Sequence, residues 1–132
     1  MHNRIILTAL LCACVRALAA DHAPLPEQLI AARTAFIDNK SGEPAFADNI
    51  YQQLKEWGRW RVVTSRIDAD VLVVLDHKER FKNKFYFSVV DRESGEVLWA
   101  KQKDVALRIW GQLSRKLMQD LRKRLPPDAP GK

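Results

Sequence analysis

The sequence predicts an α+β domain: a strand, a helix, three or four strands and a closing helix, with a mainly antiparallel sheet and the two helices packed on one face. Three observations carry this. Phe46, Ile50, Leu54 and Trp57 recur at helical spacing and make one apolar stripe. Short β-branched and aromatic runs then alternate with turn residues as far as Lys101. Finally Ile109, Leu113, Leu117, Leu121 and Leu125 step by four, restoring the helical period. With 132 residues, 47% hydrophobic and 29% charged, the chain has the composition of one globular domain.

The amino terminus carries an address before it carries structure. Arg4 precedes an apolar run from Ile5 to Val15, and Ala17-Leu18-Ala19 supplies an A-x-A site, so residues 1–19 read as a secretory signal peptide. The run is too short for a spanning helix, which needs about 20 apolar residues. Cleavage after Ala19 removes Arg4 and Arg16 and lowers the formal charge from +6 to +4. It also removes Cys12 and Cys14, so disulfide and thiolate chemistry is excluded from the mature domain. An alternative uses the same letters: Leu11-Cys12-Ala13-Cys14 resembles a lipobox, with a lipoprotein signal ending before Cys14 and that thiol lipidated. The expected location is the periplasm or the exterior, with membrane anchoring if Cys14 is acylated.

Residues 20–30, with Pro24 and Pro26, are expected to be an extended lead-in to a domain over 31–125. Ala31–Asp38 reads as the first strand, Ala35 and Ile37 on one face and Phe36 on the other. Asn39–Gly42 is turn chemistry. Pro44 suits the first turn of the stripe helix and Gly58 its left-handed end, giving a helix over 44–57. Residues 60–65 alternate, and ADVLVVL at 69–75 has the continuous pattern of a strand buried on both faces. DHKERFKNK at 76–84 is expected to be a charged loop. Residues 85–91 and 96–101 flank the turn Arg92-Glu93-Ser94-Gly95 as a hairpin. A helix over 105–124 follows, then Pro126 and Pro127, and a flexible tail over 126–132.

Within this plan LKEWGRWRVV, residues 54–63, poses a choice. Two tryptophans interleaved with arginines could stack bases and hold phosphates. The alternation favours a helix-to-strand corner instead, with Trp57 and Trp60 in the core and Arg59 and Arg61 in solvent. Lys78, Arg80, Lys82 and Lys84 in the charged loop, and Arg108, Arg115 and Arg122 seven apart on the last helix, form the candidate basic surface. The solvated face of an amphipathic helix is the simpler account of that stripe.

Catalytic chemistry finds little footing. There is no GxSxG elbow and no glycine-rich phosphate loop, and the carboxylates Asp68, Asp70, Asp91, Glu93 and Glu96 sit where turns are expected. No cofactor is expected. Cleavage after Ala19 would leave Ala20-Asp21-His22 at the start, offering an amine, two amides and the His22 imidazole in the square-planar set favoured by copper(II) or nickel(II). His22 is thus the one candidate metal ligand.

The phrases LPEQLIAARTAFIDNKSG, DADVLVVL and VVDRESGEVLWA, in this order around a helix and before a closing one, resemble small uncharacterised exported bacterial proteins. More distantly the chain is similar to the amino-terminal domain of TolB and the related envelope domain of CsgG. The likeness spans about residues 25–125 and is carried by Ala69-Asp70 and by the D-x-x-S-G-x-x-L-W hairpin from Asp91 to Trp99. It implies a sheet with two helices on one face and a role in envelope contact without chemistry; it transfers no functional residue. The expected function is an exported, non-enzymatic domain that binds another envelope component, a protein foremost. The alternative is a basic module that meets an anionic membrane surface or nucleic acid through the last helix and residues 78–84, nucleic acid being the least favoured partner.

Overall fold

The computed structural model describes residues 23–79 and 83–127. The element order is α1 (Glu27–Ala31), β1 (Thr34–Asn39), α2 (Pro44–Trp57), β2 (Arg61–Val62), a 3-10 turn (Arg66–Asp68), β3 (Val71–Glu79), β4 (Asn83–Asp91), β5 (Val97–Asp104) and α3 (Trp110–Arg124). The five strands make one sheet in the order β2-β1-β3-β4-β5. The β1 pairings with β2 and β3 are parallel, while the longer β3–β4 and β4–β5 ladders are antiparallel. The fold is α+β, as the sequence predicts.

The helix over 44–57 forms where the stripe places it. Pro44 lies in its first turn, and Phe46, Ile50, Leu54 and Trp57 are all buried. Gly58 ends it at φ 74°, its N–H donating to the Leu54 carbonyl at 3.1 Å. α2 and α3 run side by side in the same direction: Phe46 stacks on Trp110 near their starts, and Trp57 Nε1–H donates to the Leu125 carbonyl at their ends. Both helices reach Phe85 of β4, so they cover one sheet face. That face holds Ala35, Val71, Val73, Leu75, Phe87 and Val89, and it is the core. Burying such aliphatic and aromatic side chains contributes about 1.5–3 kcal/mol each.

Four local expectations change. The lead-in is not wholly extended: residues Glu27–Ala31 form a short helix, because Leu29 seats in the core and one turn directs it there. The alternating strand over 60–65 shrinks to Arg61–Val62. The charged loop over 76–84 is largely strand, with β3 running to Glu79 and β4 starting at Asn83. His77 makes this possible, because its ring stacks on Phe85 at 4.2 Å and gives the polar stretch an apolar footing. The last helix starts at Trp110, not at 105. Val105 N–H is taken by the Asn83 carbonyl at 2.8 Å, so this part of the chain extends the sheet ladder first.

Candidate interaction surfaces

The tryptophan corner belongs to the interior. Trp57 and Trp60 are both 3% exposed and meet edge to face at 5.0 Å. A base-stacking platform needs open rings, and these are closed. Arg61 points to solvent as expected, but Arg59 does not: it is 6% exposed. Its Nη1 donates to the Pro126 carbonyl at 2.6 Å and its Nη2 to the Ile30 carbonyl at 2.8 Å. Burial, and then the charge of Arg33, lower the Arg59 pKa. The guanidinium fastens the segment after α1's start and the segment after α3 to the corner.

The two phrases that carry the sequence resemblance prove to be turn devices. Asp70 Oδ2 accepts the N–H groups of Arg33 at 2.9 Å and Thr34 at 3.2 Å, locking the start of β1 to the start of β3. Asp91 Oδ2 accepts the Ser94 hydroxyl at 2.7 Å and the Ser94 N–H at 3.0 Å, while Gly95 turns at φ 76°. These Ser94 hydrogen bonds hold the Asp91 carboxyl below the usual carboxylate range. Among the described residues there is no group of three or more His, Cys, Asp or Glu placed to hold a metal ion.

One sheet face has no helix over it among the described residues. Register places Phe36, Leu72, Val74, Tyr86, Ser88, Val90 and Ala100 there. Among the described residues the strand at 71–75 is therefore not sandwiched between two layers as its sequence suggests; Leu72 is shielded within the sheet, between Phe36 and Val90. Cations roof part of this face: Arg66 lies 5.9 Å from the Phe36 ring and Lys78 lies 5.4 Å from Tyr86. Beside it β5 forms one sheet edge, with eight residues and Val97 58% exposed.

The expected basic residues scatter. Cys14, His22, Arg80 and Lys82 lie outside the described residues. Lys78 and Lys84 pair with each other across β3 and β4 on the open face, where Lys84 meets Asp104 at 3.7 Å. Arg108 is off the helix, so the stripe of three is broken. It bridges two carboxylates, Glu43 and Glu79, at 2.7 Å each. Arg115 stays exposed on α3, and Arg122 donates to Gln53 Oε1 at 3.0 Å. Lys101, not singled out from sequence, binds Asp120 at 2.7 Å, and its hydrogen bond and charge lower that carboxyl's pKa.

The structure also exposes Ile109, which the sequence placed in a helical stripe, and its near neighbour Leu107. Leu107 is 74% and Ile109 54% exposed. With Lys103, Gln112 and Lys116 they line a shallow cleft of about 220 Å³ between the end of β5 and the start of α3.

No protein-family model and no curated protein matches this chain. Solved structures do. A PelC dodecamer from Paraburkholderia phytofirmans is similar at TM-score 0.50 and 14% identity, over 78% of this chain and 94% of that one. The LpoB C-terminal domain from Salmonella enterica gives 0.45 and 9%, over 59% and 86%. Lipoprotein GNA1162 from Neisseria meningitidis gives 0.44 and 11%, over 68% and 94%. At such identities the likeness is one of fold. Among the described residues no helix is long and apolar enough to cross a membrane.

Proposed function

We propose that the chain is an exported, non-enzymatic envelope domain that binds a protein partner across its open sheet face and the adjoining β5 edge. The observation that carries this is the eight-residue edge strand beside a sheet face that has an apolar centre and, among the described residues, no helix over it. An edge strand offers unpaired backbone groups to a partner strand, and neighbouring side-chain positions supply specificity. Lys101, Lys103 and Asp104 on the same strand discourage indiscriminate pairing. The leader supports export, and the carboxylates singled out at 70 and 91 are occupied as turn caps. The specific kinship with TolB and CsgG remains part of this proposal, resting on the two turn phrases.

A dodecamer of the same fold makes a second copy of this chain the first companion to test. The experiment is crosslinking and copurification from an envelope fraction, with size-exclusion chromatography of the purified chain. A stoichiometric companion, either another protein or the chain itself, is expected, and Val97→Lys should cut its recovery. An inert monomer without a companion would sink the reading.

A further inference from the structure

The segment between β5 and α3 is a built lip. Arg108 stays at the surface but is held from two sides, by Glu43 beside the start of α2 and by Glu79 at the end of β3. The Ile109 N–H donates back to the Leu107 carbonyl at 3.0 Å, closing a tight turn centred on Arg108, and Leu107 and Ile109 on either side of it are both exposed. Ile109 takes φ −94° and ψ 94°, and its carbonyl accepts the Leu113 N–H at 3.0 Å, which starts the helix directly behind the lip. Two exposed aliphatic side chains are therefore presented by a braced loop.

The charge around the lip has one sign in excess. Lys103 and Lys116 flank the cleft, and Arg115 and Arg122 continue the cationic surface along α3. Among the described residues Lys103, Arg115 and Lys116 have no carboxylate within ion-pair distance. The carboxylate of the cleft, Asp104, is engaged by Lys84. Outward aliphatic groups with long cations behind them match a bilayer interface, where apolar side chains enter the acyl boundary and cations meet the headgroups.

We propose that the Leu107–Ile109 lip and the Lys103, Arg115, Lys116 and Arg122 surface dock on an anionic phospholipid bilayer. This deepens the alternative expected from the sequence, keeping its last helix and replacing the 78–84 segment with the lip. It relies on the envelope reading only for where such a bilayer is met.

The test uses the exported chain with Cys12→Ser and Cys14→Ser, so that no acyl group contributes. Its sedimentation is measured with vesicles of equimolar phosphatidylglycerol and phosphatidylcholine, and with phosphatidylcholine alone. Binding is expected to the anionic vesicles, to weaken as salt is raised, and to fall about fivefold with Lys116→Glu. Leu107→Ser with Ile109→Ser should weaken it at least about tenfold. Because both residues are exposed, circular dichroism of that double variant should match the parent. A polarity-sensitive dye on Leu107→Cys should shift to the blue on vesicles. Equal binding by parent and double variant, no binding at low salt, or retention of an acidic protein instead of vesicles would each overturn the proposal. A chain that docks on vesicles but has no protein companion would leave this surface standing and remove the protein-binding one.

Discussion

Arg59 shows how a residue that reads as surface becomes structural. Between Gly58 and Trp60 its sequence context promises a solvated cation, yet its Nη2 and Nη1 donate to the carbonyls of Ile30 and Pro126. Nothing local announces those acceptors, which lie 29 and 67 positions away. Replacing it with methionine keeps volume but strands two carbonyls, and should cost about 2–3 kcal/mol in urea denaturation; Arg61→Met, on the exposed side, should change little. Asp91 makes a prediction in pH. Its folded pKa is depressed by Ser94, so its contribution is present above the ordinary carboxylate pKa and is lost as pH falls through the folded value. The gap in urea midpoint between the parent and Asp91→Ala should hold steady from neutral pH and narrow below about pH 4. An unchanged gap at lower pH would mean that the ionised carboxylate is not what closes the turn. Trp57 and Trp60, by contrast, were legible: period and alternation put both rings in the core, and both are there.

Elements were legible where apolar period and punctuation agree. Pro44, the four-residue stripe and Gly58 bound α2 completely, because each signal concerns neighbours within one helix. Boundaries failed where a distant partner decides. The hydrophilic stretch at 76–79 becomes strand because His77 finds Phe85 and the ladder continues to Asn83. Ile109 fits the stripe of α3 by spacing, but Arg108 is captured by Glu43 and Glu79, and the helix begins one residue later. This divides the stripe energetically. Ile109→Ala should alter stability by no more than about 0.5 kcal/mol, whereas Leu113→Ala, buried one turn on, should cost about 2–5 kcal/mol. Comparable losses at both positions would restore the longer helix. The lip itself was invisible in the sequence for the same reason: spacing alone put Ile109 in the core stripe, and nothing local marks Leu107 as its exposed companion.

At the scale of the molecule, strand order separates a stable centre from usable margins. β3 and β4 carry the longest ladder and lie inside the sheet, while β2 has two residues and β5 is an edge. Amide hydrogen exchange should be slowest in β3 and β4 and fast in β2. Protection of β2 equal to that of β3 would contradict this division. The open face could be anticipated only in part, since the apolar run at 71–75 suggests cover on both sides, while among the described residues the helices lie on one. The clamps at the chain ends have a geometric consequence. Arg124 donates to the Ala23 carbonyl at 2.6 Å, and Arg59 joins Ile30 to Pro126, so the first and last described residues leave the fold side by side. That exit lies at the far end of α3 from the lip, one helix of 15 residues away, or about 22 Å. A tether upstream of Ala23 and a lip resting on the same bilayer would lay α3 down along the surface, its Arg115 and Arg122 side toward the headgroups, and turn the domain on its flank.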